Sequence, residues 1–329
     1  MTDQEQHGPN LIARAVGLSL GIMLDRTLSD PQRWHPVAGF GHWAAWLERM
    51  SWRDSRLAGT VFAVAALAPV VGVAAGAERA SSRMTRGGLP RGLITAVPVA
   101  LVAWTVIGGR QLAETGRQMA DLLEAGDLDG ARALLPHLCG RLPQGLDASE
   151  LARATVESLA ENTSDAVTGS LVWGGVLGIP GLVLHRGANT LDAMVGHRSA
   201  RYARFGTASA RLDDVMNLAP ARATSVLFAG LAPLVGGRTR LAWRVLVRDH
   251  SRHPSPNGGW CEAAMAGALG VRLGGRNVYP GDRVEDRPVM GGENRACTTT
   301  DVRRAARLVD AATLTATALV AALLFGRRR

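Results

Sequence analysis

Long apolar runs alternate with polar stretches along the chain and predict buried or membrane-spanning helices. Five runs contain no charged residue, and they cover residues 57–77, 92–109, 166–184, 223–237 and 311–326. The first two contain 21 and 18 residues, and a helix needs about 20 apolar residues to cross a bilayer core. We therefore expect an all-α, polytopic integral membrane protein with about four to five hydrophobic segments.

The third run, residues 166–184, carries helix-breaking residues near its middle. Gly174 and Gly175 are followed by the sequence Gly178-Ile179-Pro180-Gly181, which predicts a helix broken midway. Broken helices are tolerated at membrane depth where they line a cavity in the protein. We expect one or more of the segments to be re-entrant.

Aromatic and basic residues at the ends of the runs also favour a membrane location. Trp43, Trp46 and Trp52 precede the first run, where an interfacial aromatic belt would lie. The loop 78–91 carries four arginines and the tail 327–329 carries three, so both are expected on the cytoplasmic side. The alternative is a large soluble helical protein, because the runs are rich in alanine and glycine.

A hydrophilic insertion separates the second and third runs. Residues 110–165 contain ten acidic residues against five arginines and have the pattern of amphipathic helices with intervening turns. No alternation typical of strands is evident. We treat residues 1–329 as one domain, with this insertion exposed to water.

The basic residues exclude several mechanisms. All 37 are arginine, and the chain has no lysine, so a Walker-A phosphate loop, a pyridoxal Schiff base and a lysine base are excluded. The net charge of +9 would suit nucleic acid. However, the arginines are dispersed and aromatic residues make up only 5%, so we expect no nucleic-acid partner.

Polar clusters interrupt the apolar background. The first, around residues 25–36, includes His35 and resembles a turn after a short helix. In the second, Glu157, Glu161 and Asp165 recur at i, i+4 and i+8, which places three carboxylates on one stripe of a helix. Their repulsion would be offset by a bound divalent cation or a cationic substrate. A solvated acidic face is the alternative.

The third cluster, residues 189–222, combines arginines with paired aspartates. Guanidinium groups bind phosphate and carboxylate through forked donors, and aspartates hold Mg²⁺, so this combination suits phosphoryl transfer. A salt-bridged loop is the alternative.

The fourth cluster, residues 255–262, places Asn257, Gly258 and Gly259 before an expected helix that continues to Gly275. Such a glycine-rich helix start can approach an anionic ligand closely.

In this order, the clusters resemble the CobD/CbiB family, the adenosylcobinamide-phosphate synthases of cobalamin biosynthesis. The strings that carry the resemblance are DPQRWHPV at 30–37, ESLAENTSD at 157–165, NTLDAMVGHRSARYARFG at 189–206, SARLDDVMNLAPAR at 209–222 and SPNGGWCEAAMAGALGVRLGG at 255–275. The resemblance covers about residues 11–325. Gly258, Cys261 and Arg198 depart from the residues more usual in the family.

The resemblance implies a membrane-bound amide ligase that depends on ATP and Mg²⁺. It would join (R)-1-amino-2-propanol, or its O-phosphate, to the propionate carboxylate of adenosylcobyric acid through an acyl phosphate. The lipid bilayer and other membrane-bound enzymes of late cobalamin synthesis are the expected partners. The active site is expected on the cytoplasmic side of the cell membrane.

Within this framework the polar residues receive hypothetical roles. The catalytic set is Glu157, Glu161, Asp165, Asp192, Asp213 and Asp214. The set for substrate and phosphate binding is Asn162, Asn189, Arg198, Arg201, Arg211, Asn217, Asn257, Glu262 and His35. The metal set is Glu161, Asp213 and Asp214.

Two other functions remain open at this point. A small-solute transporter would also suit a broken apolar segment with carboxylates at its edge. A non-catalytic membrane sensor of the AmpE-like type is the second alternative. The intact acid and arginine clusters speak against such a sensor, which has no need of them.

Overall fold

The computed structural model describes residues 11–28, 35–83, 91–197, 199–279 and 283–326, without the side chains of residues 91–93. Helices dominate these residues. In chain order they are α1 (Leu11–Leu28), α2 (Pro36–Ser51), α3 (Arg56–Arg83), α4 (Arg91–Val106), α5 (Gly109–Glu124), α6 (Leu128–Leu134), α7 (Ala148–Asn162), α8 (Gly169–Leu177), α9 (Ile179–Leu191), α10 (Thr207–Met216), α11 (Leu218–Leu231), α12 (Thr239–Asp249), α13 (Gly258–Leu269) and α14 (Thr299–Gly326). Two strands, β1 (Leu273–Tyr279) and β2 (Arg283–Met290), form an antiparallel hairpin.

The chain forms two compact units, each assembled from distant parts of the sequence. Unit 1 contains Met1–Gly108, Ser170–Val215 and Ala316–Arg329. Unit 2 contains Gly109–Gly169 and Met216–Thr315. Each unit has its own cluster of buried apolar side chains.

Four helical stretches are long and apolar enough to cross a membrane. They are Arg56–Arg83, Ile94–Glu124, Leu218–Val235 and Thr299–Gly326. Four of the five apolar runs fall in these stretches, so the prediction of an all-α polytopic membrane protein is confirmed. The remaining run, residues 166–184, does not form one continuous helix.

The predicted break in that run is confirmed. α8 ends at Leu177, Gly178 adopts φ 73°, and α9 begins with Pro180 in its first turn. A positive φ favours glycine because it has no Cβ.

Two charged side chains in unit 1 satisfy the backbone groups that this break exposes. Glu78 accepts a hydrogen bond from the Ile179 N–H at 3.1 Å. Arg14 donates to the Val176 carbonyl at 3.1 Å and forms an ion pair with Glu78 at 2.9 Å. An interruption within an apolar segment requires such partners, since lipid offers none.

In unit 1, small residues allow α1 and α4 to pack closely. A Cβ on Gly17 would lie 2.6 Å from Cβ of Val99, and one on Gly21 would lie 2.5 Å from Cβ of Ala103. Two glycines four residues apart therefore form the contact face of α1, an arrangement common between membrane helices.

Unit 2 is built around a buried central helix. Every residue of α13 except Trp260 is buried, and α13 packs against α7, α11 and α12. The expectation that this helix continues to Gly275 is wrong. α13 ends at Leu269, Gly270 follows with φ 68°, and the chain then enters β1. A left-handed glycine directly after a helix is a common termination signal.

Candidate active site

Two short π-helical turns mark the positions of the second and third polar clusters. Thr163–Thr168 forms one directly after α7, and Asp192–Gly196 forms the other directly after α9. π-Helical turns are rare and occur frequently at functional sites. The π-helical turn after α7 removes Asp165 from the predicted stripe of three carboxylates on one helix. Glu157 and Glu161 share the regular spacing of α7, whereas Asp165 lies beyond its end.

Glu157 lies in a buried ionic network that ties α7 to the hairpin. Only 1% of its side chain is exposed, and it pairs with Arg141 and, at 3.1 Å, with Arg153. Its Oε1 also accepts the Gly274 N–H at 2.6 Å. Burial alone would raise the pKa of Glu157, but the charges of Arg141 and Arg153 outweigh it and lower that pKa. Both carboxylate oxygens are therefore engaged.

One turn further along α7, Glu161 meets Glu262 of α13 and His253. One potential ligand atom from each residue lies within 4.8 Å of the other two. Glu262 is fully buried, His253 is nearly so, and Glu161 is half-buried. We call these three residues the unit 2 centre. Its opening lies on the side of Glu161.

Arg287 of β2 already supplies a cation to this centre. Its Nη1 lies 3.3 Å from Oε1 of Glu262, 3.7 Å from Oε1 of Glu161 and 3.3 Å from Nε2 of His253. The His253 Nδ1 accepts the Ser255 N–H at 3.0 Å, whereas a metal-bound histidine normally donates its second ring N–H. Mg²⁺ also prefers oxygen ligands. The unit 2 centre therefore fits Mg²⁺ poorly.

Burial shifts the pKa of two side chains of the unit 2 centre, Glu262 and His253. Burial, with the neighbouring Glu157 and Glu161 carboxylates, raises the pKa of Glu262 well above its ordinary value. Burial lowers the pKa of His253. Burial thus favours the neutral form of each group, although the two side chains lie 3.6 Å apart. The Glu161 carboxylate faces the Arg287 guanidinium at the centre's opening.

The other predicted residues of unit 2 lie near the ends of its helices. Asn162 donates to the carbonyl and hydroxyl oxygens of Ser158, at 2.9 Å each. Asn217 is buried and directly precedes α11 in the chain. The Asn257 side chain, before α13, accepts from Arg222 at 3.3 Å. Ligand binding by these amides stays a prediction.

Three aspartates of the third cluster form an acidic group in unit 1. Asp192 begins the second π-helical turn, and Asp213 and Asp214 lie on α10. Burial, followed by the charges of Asp213 and Asp214, raises the pKa of Asp192 to about 7. Asn189 donates to Oδ1 of Asp213 at 3.4 Å. The structure thus brings four predicted residues of this cluster together.

By donor chemistry this acidic group suits Mg²⁺ better than the unit 2 centre does, but among the described residues it is the unit 2 centre whose three ligand atoms lie within 4.8 Å of one another. The acidic group offers carboxylate oxygens, and their mutual repulsion is what a bound divalent cation would relieve. Gly196 leaves room for one of these carboxylates, since a Cβ there would lie 1.8 Å from Oδ1 of Asp192. The predicted metal set divides between the units, with Glu161 in unit 2 and the two aspartates in unit 1. A metal site shared by all three stays a prediction.

The basic residues predicted to bind substrate or phosphate in unit 1 do not form one group among the described residues. Arg201 pairs with Glu48 at 3.0 Å, and its guanidinium lies 4.5 Å from the centroid of the Trp52 ring. Arg211 is exposed on α10. His35 caps α2 by accepting the Val37 N–H at 3.2 Å. Arg198 and residues 29–34 of the first cluster lie outside the described residues.

An apolar cavity of about 580 Å³ also lies in unit 1. Residues of α2, α3, α4 and α9 line it, and its lining is apolar except at Arg186 and Thr190. It lacks the several charged groups that phosphoryl transfer needs. We therefore place the candidate chemistry at the carboxylate groups rather than in this cavity.

The sequence analysis missed Arg287 because it missed the hairpin that carries this residue, and it missed His253 for a separate reason. The available signal was the turn sequence Pro280-Gly281-Asp282 between two short runs that contain β-branched and aromatic residues. His253 carries no comparable signal. Its position depends on the loop before α13, which local patterns do not specify.

Comparison with known proteins agrees with these motifs. The family model described as CobD/Cbib protein matches residues 18–309. The cobalamin biosynthesis protein CobD of Mycobacterium tuberculosis is 46% identical over 96% of this chain and 97% of its own length. The protein of the same name from Geobacter metallireducens is 41% identical over 88% and 90% of the two chains, and that from Chromobacterium violaceum is 40% identical over 95% and 98%. No solved structure matches the chain.

The family model and these full-length relatives cover the α7 carboxylates, the α9–α10 aspartates and the residues around α13. The same motifs form the two polar centres described above. The chain belongs to the CobD/CbiB family of cobalamin biosynthesis proteins.

Proposed function

We propose that this protein is an ATP-dependent amide ligase that joins (R)-1-amino-2-propanol or its O-phosphate to the propionate carboxylate of adenosylcobyric acid. The observation that carries the proposal is the acidic group of unit 1. Asp192, Asp213 and Asp214 come together beside Asn189 and belong to two consecutive strings of the family resemblance, 189–206 and 209–222. Burial and the charges of Asp213 and Asp214 raise the pKa of Asp192, and a bound divalent cation would favour its charged form.

The chemistry explains why ATP is required. A carboxylate is a poor acyl donor, so its oxygen first attacks the γ-phosphorus of ATP, and ADP leaves. The amine then attacks the acyl phosphate, and inorganic phosphate leaves as the amide forms. Overall, carboxylate, ammonium and ATP give amide, ADP, phosphate and one proton.

In this scheme the acidic group of unit 1 binds the metal that accompanies ATP. Mg²⁺ held by Asp192, Asp213 and Asp214 would supply charge neutralisation for the phosphates. Asn189 holds Asp213 in position through its hydrogen bond. The absence of a side chain at Gly196 leaves space for the Asp192 carboxylate.

The unit 2 centre is suited to the amine. An ammonium group must lose a proton before it can attack, and a positioned carboxylate can accept that proton. Glu161 is the half-buried, accessible carboxylate of this centre, while burial favours the neutral forms of Glu262 and His253 behind it. We assign proton acceptance to Glu161 and positioning to Arg287, which contacts all three side chains.

The test is substrate-dependent ADP formation by the purified protein in lipid nanodiscs. We expect sustained ADP formation only when adenosylcobyric acid, Mg²⁺ and the amine are all present, because the amine completes each turnover. Asp192→Asn and Asp213→Asn should lose most of this activity. Asp54→Asn, which changes an exposed aspartate of the same unit, should keep it. ADP formation that does not depend on the corrinoid would overturn the proposal and leave the transporter as the better alternative.

We further propose that the protein resides in the cell membrane with these centres on the cytoplasmic side. ATP is available there, and the arginine-rich loop 78–91 and the arginine tail favour the same side.

A further inference from the structure

An exposed surface of unit 2 combines apolar and cationic side chains on one face of α12. Val247 is 68% exposed and Trp243 is 39% exposed. Leu234, in the short 3₁₀ turn before the helix, is 67% exposed. Arg240 and Arg244 are exposed on the same helix. We call these five residues the α12 patch.

The arginine side chains of the α12 patch are not neutralised by acidic partners within the described part of the chain. Among the described residues, the guanidinium groups of Arg240, Arg244 and the adjoining Arg238 form no hydrogen bond or ion pair. No acidic residue occurs between Thr239 and Arg248. By contrast, Arg248 at the end of the helix pairs with Asp249 and Glu293. The patch therefore presents uncompensated positive charge beside exposed apolar side chains.

The opposite face of α12 is an ordinary core face. Ala242, Val245 and Leu246 are buried there, and α12 packs against α13. The outer face of the helix is therefore not purely polar, because it carries exposed apolar side chains beside exposed arginines. A solvated helix face would not expose tryptophan, valine and leucine side by side.

The position of α12 in the chain indicates what covers this face. The candidate membrane span Leu218–Val235 ends four residues before α12 begins. A helix that follows a span so closely starts at the bilayer surface. Tryptophan is enriched at that surface, and basic amphipathic helices lie in the headgroup layer of anionic membranes.

We propose that the α12 patch docks on the headgroup layer of an anionic phospholipid membrane. Trp243, Val247 and Leu234 enter the boundary between headgroups and acyl chains, and the arginines contact lipid phosphates. This docking holds unit 2 against the membrane surface independently of the ligase chemistry.

The experiment uses the full-length protein in nanodiscs with an environment-sensitive fluorophore at Val247→Cys. The background carries Cys139→Ser, because Cys261 and Cys297 are buried. Discs contain phosphatidylcholine alone or with one-third phosphatidylglycerol, and lipid-linked nitroxides report contact with the bilayer. We expect blue-shifted emission and nitroxide quenching in the anionic discs, both weakened by high salt.

The matched variants are Arg240→Gln/Arg244→Gln and, as control, Arg272→Gln/Arg276→Gln. Arg272 and Arg276 are exposed arginines of the same unit that lie outside the α12 patch. Each basic residue near an anionic surface contributes about five-fold to partitioning, so the first pair should shift the docked-to-undocked ratio by about thirty-fold and the control pair should not. Equal quenching in both disc types, equal effects of the two pairs, or a probe shielded from water without lipid quenching would overturn the proposal. The last result would point to a second protein copy or a nucleic acid.

Discussion

Replacing Glu157 by Gln should release the hairpin from α7, because this carboxylate is the junction of a buried network. Glu157 and Arg141 are 1% and 7% exposed, so water screens their interaction little. The variant keeps the size of the side chain but leaves the Arg141 guanidinium buried without its counter-charge. Breaking a buried ion pair by removing one partner costs about 3–5 kcal/mol.

The size of this effect follows from the contacts of the three partners. Arg153 retains the Gly274 carbonyl at 2.7 Å and the Asn277 side chain at 3.1 Å, so most of the penalty falls on Arg141. A cost of about 3–5 kcal/mol corresponds to about 100- to 5,000-fold more frequent local opening. The replacement of Asp129 by Asn removes an exposed pair with Arg132 and should change little.

Hydrogen exchange provides the assay. The Gly274 amide donates directly to Glu157, so its protection should fall by the stated factor in the variant. Exchange at the centre of α13 should change less. Gly274 protection within ten-fold of the wild type would refute the reasoning. The double variant Arg141→Met/Glu157→Met should restore much of the protection, because apolar replacements can substitute for a buried ion pair.

The pH dependence of this protection has a defined sign. The lowered pKa of Glu157 means that its contribution to stability is present above its ordinary value of 4.5 and is lost as the pH falls through the lowered pKa. Gly274 protection should therefore fall in acid in the wild type. The Gln variant should lack this dependence.

Four further predictions concern the two centres and the membrane. The raised pKa of Asp192, about 7, means that unit 1 should lose stability as the pH rises from about 4 to 7 without Mg²⁺, and Asp192→Asn should abolish that slope in a chemical denaturation series. Gly196→Ala should displace the Asp192 carboxylate and raise the Mg²⁺ concentration needed for half-maximal turnover at least ten-fold. Gly230→Ala, with open space around its Cβ position, should behave as wild type. Glu262→Gln should change stability by less than about 1 kcal/mol, since burial already favours the neutral form of the native group, yet alter the pH profile of kcat; a profile identical to wild type would exclude Glu262 from the proton pathway. Finally, the protein should remain in the membrane pellet after carbonate and high-salt washing, as four long apolar helices require, and its release would contradict the membrane assignment.

The helical segments were predictable because their signals are local. Uncharged runs indicate membrane helices wherever they occur, and the broken third run was evident from Gly178 and Pro180 alone. The hairpin was missed because its strands are short and partly exposed, with a burial pattern that departs from strict alternation. Register between such strands depends on tertiary contacts, including the Arg153 and Glu157 contacts with β1.

The site was predictable in residue type but not in arrangement. The spacing of Glu157 and Glu161 correctly placed both on α7, yet one is enclosed by two arginines and the other faces an opening. Nothing in the local pattern distinguishes them, because their partners lie up to 126 residues away in the chain, at Arg287. Long-range packing decides which carboxylate is structural and which is accessible.

The most direct test of the proposed ligase is an isotope experiment on the full-length protein in nanodiscs. Adenosylcobyric acid labelled with ¹⁸O in its propionate carboxylate is incubated with ATP, Mg²⁺ and either aminopropanol or its O-phosphate, and the products are resolved by mass. The account predicts adenosylcobinamide or its phosphate, one ADP for each amide bond formed, and one ¹⁸O atom in the inorganic phosphate released. Amide formation without ATP consumption, phosphate released without the label, or no amide product with either amine would contradict it.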